Sequence, residues 1–358
     1  MVTPRYLSAT NGFIPEATGQ AIAYVRDPNK FKINQYVQLI RAPKPIVLYA
    51  ELDPDQPVRV VTDQEFAWED GDPRPRGNNN MGNFKWTEVR VFRRNYGYTV
   101  GHQAIEAAEG WNPKAFFNAT ILSQAMTNVT ARFVSLMENT ANWGSNFATA
   151  IALNGATAGN GFWSQASNDP TSASFLNIKK SILKAVENIV LATNGMVVME
   201  DLKLVISPGL AIAMSETSEI HSYLEKQERS LEVIEGLNPN TGNDQWGLPS
   251  RLYGLPVVVE NAVHVTERKN SAGTPATTNR TFIKSDNSAV ICSRVGGLEG
   301  LYGAPSFSTL QRYYYLYDMA IEAFDNPKDK LFESNVVDQF KEVLAANRAG
   351  YLITNTLS

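Results

Sequence analysis

A lone cysteine, three histidines and one glycine-rich run are the residues of this chain whose types could do chemistry. Cys292 could act as a nucleophile only as a thiolate in an electropositive, partly exposed setting, yet it lies in the apolar run SAVICSRV beside Val290, Ile291 and Val295. Its expected role is a small buried hydrophobe. His102, His221 and His264 are far apart in sequence, and Glu106, four residues after His102 in HQAIE, adds only one carboxylate, which is too few ligands for a metal. GATAGNG has the glycines of a phosphate-binding loop but lacks the Lys and Ser or Thr that would hold phosphate and magnesium, so a flexible loop is the reading. Ser207 in ISPG does not sit in a Gly-x-Ser-x-Gly elbow. The sequons at Asn118, Asn128 and Asn279 read as chance, the first two because they fall inside a predicted helix. These residues give no catalytic set, no metal site and no cofactor site.

The bulk composition agrees with that. At 358 residues, with 43% apolar and 19% charged residues, the chain is long enough for one large or two ordinary domains with a sizeable core. A net charge of -4 excludes a strongly basic nucleic-acid binder held by counterion release. One cysteine forbids an intrachain disulfide, and no stretch reaches the roughly 18 apolar residues of a membrane span or the core of a signal peptide, so a soluble cytoplasmic product is expected.

The elements that would position any site follow from periodicity. Residues 1–30 are polar and rich in turn formers, and read as an extended arm. Pro43, Pro45, Pro54 and Pro57 forbid a long helix over 31–63 and favour extended segments at a sheet edge. Asn112 as N-cap and Pro113 at the first helical position open a helix of about seven turns, with Ala115, Ala119, Leu122, Met126, Val129, Phe133, Leu136 and Met137 on one face. A second amphipathic helix carries Ile178, Ile182, Val186, Ile189 and Val190 inward and stops at Gly195. Leu202 to Ile206 reads as a buried strand, followed by a turn at SPG and one or two short helices. GLPVVVENAV and SAVICSRV read as further strands, with TERKNSAGTPATTNR as a polar exposed loop between them, and the C-terminal part as strands packing on the long helix.

The strongest remaining signal is residues 65–94, in which aromatic, strand-like flanks enclose a middle of Asp, Pro, Arg, Gly and Asn. Its charges are sorted. Glu65, Glu69, Asp70 and Asp72 occupy the outgoing limb beside Trp68, whereas Arg74, Arg76, Lys85, Arg90, Arg93 and Arg94 occupy the tip and returning limb around Trp86, against Glu88 alone. An isolated two-stranded hairpin is marginal in water, so a finger of this length calls for a supporting surface. Two readings stand: a solvated hairpin whose limbs pair their charges across the strands, or a head-to-tail contact with the next subunit that closes into a ring.

In the order of its parts the chain resembles tailed-bacteriophage major capsid proteins of the Hong Kong 97 type. The resemblance covers nearly the whole length, and is most family-like in LKLVISPGLAIAMSETSEIHSYL and RLYGLPVVVENAV. It implies an α+β capsid fold with an N-terminal arm over 1–30 and an extended β-hairpin loop over 58–100. The peripheral domain with its spine helix would take 31–57, 101–149 and 296–358, and an axial α/β domain 150–295. It further implies a structural protein without enzymatic activity, assembling into hexamers and pentamers of an icosahedral virion shell in the host cytoplasm. Trp68, Glu69, Asp70, Asp72, Arg74, Arg76, Lys85, Trp86, Arg90, Arg93 and Arg94 would lie at subunit interfaces. Partners would be other copies of the chain, a portal, and packaged double-stranded DNA enclosed without sequence-specific binding; there would be no membrane partner. Met1 directly before the arm implies a separate scaffolding protein or none. Some members of the family crosslink a loop lysine to a neighbour's asparagine, and the place of Lys85, well past the tip, speaks against that here. A cellular nanocompartment shell is the related alternative, and an α/β enzyme with the finger as an active-site flap is the unrelated one.

Overall fold

The computed structural model describes residues 12–13, 31–51, 85–107, 113–157, 159–225, 246–269, 275–294, 308–326 and 328–357. Along the chain come β1 (Gly12–Phe13), α1 (Ile33–Tyr36), β2 (Gln38–Arg41), β3 (Ile46–Glu51), β4 (Lys85–Arg90), β5 (Phe92–Gly101), α2 (His102–Glu106), α3 (Pro113–Glu138), β6 (Phe147–Thr149) and α4 (Ala150–Asn154). Then follow α5 (Asn177–Ala192), β7 (Leu202–Ile206), α6 (Pro208–Ser215), α7 (Ser218–Glu225), β8 (Arg251–Leu252), β9 (Leu255–Val259), β10 (Val263–Lys269), β11 (Pro275–Phe282), β12 (Ser288–Ser293), β13 (Leu310–Tyr314), β14 (Ala320–Asn326), β15 (Leu331–Leu344) and β16 (Tyr351–Thr354).

The fourteen-residue β15 organises the first sheet: it pairs antiparallel with β5 on one side and with β14 and β13 on the other, while β2 joins β13 in parallel and β1 joins β14. The long helix α3 covers one face of that sheet. It begins at Pro113 and runs 26 residues, as its spacing predicts, and Leu122, Met126, Val129, Phe133 and Met137 are buried. Ala115 and Ala119 were expected on that inward face and are exposed; in the first two turns of α3 it is Lys114, over the Phe332 ring, and Asn118, accepting from the Ser334 hydroxyl, that turn toward the sheet. Tyr98 of β5 stacks on Phe117 at 5.0 Å and donates to the Lys114 carbonyl, which holds this end of the helix instead. Close approach is also built into β5 itself. A Cβ at Gly97 would collide with Asn335 Oδ1 across the strand pair.

The second sheet runs β6-β16-β12-β7-β9-β8, with β7 and β9 parallel. Both of its faces are buried. Leu204, Ile206, Val257, Val259 and Ile291 pack on α5, α6 and α7, while Val205, Val258, Val290 and Cys292 turn toward α3 and the first sheet. A strand covered on both faces reads as a continuous apolar run, which is why β7, β9 and β12 were legible in the sequence. The SPG segment is a helix start: the Ser207 hydroxyl accepts from the Leu210 amide, and Pro208 occupies the first turn, where no amide hydrogen is needed. Gly195, at φ +77°, follows α5 as expected, and its amide reaches the Val190 carbonyl at 2.9 Å.

Three expectations change. β6 and β16 lie in the second sheet, so 147–149 and 351–354, which were placed with the peripheral parts, share a sheet with β7, β9 and β12. The loop expected between β9 and β12 is largely a two-stranded ribbon, β10 with β11, running from Val263↔Phe282 to Lys269↔Pro275. The partner of β4 is β3, with Ile46↔Arg90 through Glu51↔Lys85, so the finger starts at Ile46 rather than at 58 or 65. Its returning limb continues into the first sheet as β5, paired over ten residues with β15.

Candidate assembly interface

The finger leaves the body as β3 and β4, and alternation decides which side faces what. Val47 and Val89, directly opposite one another, are buried with Val91 on Ile40, Ala42, Tyr313 and Val343. The opposite side stays open: Ile46 and Leu48 are 50% and 51% exposed, and Phe92 just beyond the ribbon is 49% exposed. Glu88 and Arg90, opposite Leu48 and Ile46, flank those aliphatic side chains, and the Arg90 guanidinium lies 6.0 Å from the Phe92 ring centre. Half-exposed aliphatic and aromatic side chains with a polar rim have the composition of a contact surface. Ile46 and Leu48 lie outside the contact residues expected from sequence, although the alternation in Pro45-Ile-Val-Leu-Tyr carries that signal.

The expected contact residues divide into three groups. Trp68, Glu69, Asp70, Asp72, Arg74 and Arg76 lie outside the described residues. Lys85 and Trp86 are in β4, with backbones opposite Glu51 and Ala50. Arg90, Arg93 and Arg94 are placed with their side chains, and they differ. Arg93 is exposed, 3.4 Å from Glu322 and 5.3 Å from the Tyr317 ring centre, so it lies on the open face of the first sheet.

Arg94 turns the other way and belongs to the finger's root. It donates to the Phe340 carbonyl at 2.8 Å, stacks 4.4 Å from the Phe340 ring centre and lies 3.8 Å from Glu342; burial lowers its pKa. Arg312 of β13 also lies against Phe340, at 4.6 Å. Its Nη2 donates to both carboxylate oxygens of Asp338 at 2.8 Å, its Nη1 lies 3.0 Å from Asp318, and all three side chains are buried. Burial pushes the Asp338 carboxyl up to about 6; the Arg312 charge opposes this, and Asp318 adds to it because one guanidinium faces two carboxylates. Arg132 of α3 reaches Glu342 at 3.5 Å. Phe340 and its charged neighbours thus tie the finger's returning limb to β13, β15 and the long helix.

The residues of possible chemistry are dispersed. Cys292 is fully buried and its thiol is pushed up to about 12 by burial. His102 Nε2 lies 2.7 Å from Asp325 Oδ1, His264 sits beside the Thr281 hydroxyl, and His221 is exposed on α7. Among the described residues no group of three His, Cys, Asp or Glu side chains could hold a metal, and no helix is long and apolar enough to cross a membrane. The glycine-rich run follows α4 and is tied down by side-chain amides, with Asn154 donating to the Gly161 carbonyl and Asn177 to the Asn160 carbonyl.

Neither a family model nor a curated protein matches this sequence. Solved structures do match in shape. A phage-related protein from Bordetella bronchiseptica RB50 is 13% identical, covers 97% of this chain and 98% of its own, and has a TM-score of 0.62. The mature capsid of bacteriophage PhiM1 is 8% identical over 89% of this chain and 85% of that one, with a TM-score of 0.49. The satellite phage P4 procapsid is 9% identical over 94% and 99%, at 0.46. Taken with the long helix beneath a β-sheet and the second α/β sheet, the end-to-end likeness to the Bordetella protein gives the chain the α+β fold of that phage-related protein.

Proposed function

We propose that this chain is the major capsid subunit of a tailed phage or prophage, a structural protein that assembles into hexamers and pentamers of an icosahedral shell around double-stranded DNA. The observation that carries the reading is the finger's root: a ribbon that leaves the body with Ile46, Leu48 and Phe92 exposed on one side, in a chain whose fold is shared end to end with a phage-related protein. In this reading the finger lies across an adjacent copy, with Trp68, its acidic residues Glu69, Asp70 and Asp72, and the bases Arg74 and Arg76 toward the neighbour. Lys85, Trp86, Arg90 and Arg93 contribute nearer the root, and Arg94 acts from within by setting the root's direction. Many weak head-to-tail contacts hold a closed shell by their number, and each remains weak enough to correct a misplaced subunit. A net charge of -4 suits a wall that encloses DNA without gripping it. A separate scaffolding protein and a portal are the partners such a shell would use.

The test is negative-stain electron microscopy of the purified protein together with its elution volume on a sizing column, alone and with a scaffolding partner. Uniform hollow shells, or rings of five or six, are expected. A protein that stays a small monomer or dimer under both conditions refutes the reading. Particles purified natively and found to hold cargo protein instead of DNA would move it to a cellular compartment.

A further inference from the structure

The ribbon of β10 and β11 has no role in either sheet. It pairs with itself alone, and its seven residues from Val263 to Lys269 extend it by roughly 23 Å. At its base, successive residues His264 and Val265 are both exposed, as are Arg280, Thr281 and Phe282 on the returning strand, where the Phe282 ring meets Trp246 of the body edge-on with centres 6.1 Å apart. Val263, Val265 and Phe282 are 41%, 53% and 37% exposed, and the register places all three on one side together with Arg280. An isolated two-stranded ribbon is marginal in water.

Its base, by contrast, is fixed by two buried polar clusters. Glu260, just before β10, accepts from the Tyr36 hydroxyl at 2.8 Å and from the Ala262 amide at 3.2 Å. Lys284, just after β11, is fully buried; its ammonium donates to Glu138 at the end of α3 at 2.8 Å, to the Ser288 carbonyl at 2.9 Å and to the Ser288 hydroxyl. Removing Glu138 would leave the fully buried Lys284 ammonium without its carboxylate, and removing Tyr36 would leave buried Glu260 without that donor, so the clusters hold the ribbon's exit direction. Charge supplies the partner. Residues 263–282 carry Arg268, Lys269 and Arg280 against Glu267 alone, whereas residues 150–225 carry four lysines against seven carboxylates. Among these carboxylates, Glu216 after α6 and Glu225 at the end of α7 are exposed.

We propose that the β10–β11 ribbon is a second assembly arm, independent of the finger, whose apolar base and basic outer half dock on the acidic α6–α7 surface of another copy of this chain. The contact is head-to-tail, since the two surfaces differ, and it can therefore repeat around a ring. It rests on the shell reading above.

The experiment compares five forms of the protein on a sizing column and by negative-stain microscopy at low and high salt: wild type, R268E/K269E, E216K/E225K, all four of these substitutions together, and V265D. Each pair of reversals should weaken self-association at least tenfold without lowering the thermal midpoint, and the combined protein should regain most of it. V265D, which alters the apolar base and no basic residue, should weaken assembly at high salt as well as low. Wild-type shells with undiminished shells from R268E/K269E and V265D overturn the ribbon's role alone. A wild-type chain that stays monomeric with its scaffolding partner overturns the shell reading and this one together. Loss by both reversals with no recovery on combination overturns the assignment to the α6–α7 surface.

Discussion

Arg312→Met should be among the most damaging single changes in this protein, and its cost should depend on pH in a specific way. Arg312 meets both oxygens of Asp338 through Nη2 at 2.8 Å, lies 3.0 Å from Asp318 through Nη1 and is stacked on Phe340, all within the core. Methionine fills most of the volume, so the loss is electrostatic: two buried carboxylates remain without their cation. Removing one partner of a buried pair costs about 3 to 5 kcal/mol. With an unfolding entropy of roughly 2.1 cal/mol/K per residue, a loss of about 4 kcal/mol lowers the midpoint of a chain this size by about 5 °C. Unassembled subunits, followed by circular dichroism at pH 7.5 and again at pH 5, provide the assay. The orphaned Asp338 carboxyl, already pushed up to about 6 by burial, takes up a proton as pH falls, so the gap between R312M and wild type should shrink markedly at pH 5. A loss below about 1 kcal/mol at pH 7.5, or a loss of equal size at both pH values, would refute the account of the cluster.

Asp338→Asn tests the same cluster from its acidic side. Asp338 has its folded pKa raised from 3.8 to about 6, so the folded chain holds a proton where the unfolded chain has released it; its stabilising effect is complete below about pH 4 and is lost as pH rises through about 6. Against wild type, the variant should therefore show a flatter pH dependence of urea unfolding between pH 4 and 7, by about 3 kcal/mol, and curves that stay parallel would count against it. Deleting residues 70–82 should leave a soluble, folded subunit that forms no closed particles; shells of normal size and yield from the deletion would remove the finger from the intersubunit contact. Cys292, buried with its thiol near 12, should resist an aromatic disulfide reagent at pH 8 in the folded protein and react at once in denaturant, whereas prompt labelling of the native protein would show the second sheet to be open there.

How much of this was legible in sequence depended on how each segment is covered. Pro113 and the 3.6-residue spacing from Leu122 to Met137 announced α3 because one side of it lies on a sheet and the other on water. SAVICSRV announced β12 because both faces of that strand are buried. The ribbon of β10 and β11 is hidden for a different reason: TERKNSAGTPATTNR has no apolar alternation to read, and only the register exposes it. The finger's true start was hidden similarly, since Val47 is buried by Val343 and Tyr313, residues about 300 and 266 positions away.

By itself the sequence determined the long helix and where it begins, the buried strands and the sorted charges of the finger. These follow from local spacing and residue type, which act over a few residues. The tertiary structure alone decided that β16 crosses into the second sheet, that Arg94 faces inward while Arg93 faces out, that Arg312 meets Asp338 and that Lys284 meets Glu138 at the end of α3. Such pairings join chain segments from 26 to 246 positions apart. No local periodicity encodes them, because a buried charge finds its partner only when the surrounding apolar faces have already brought the two segments together.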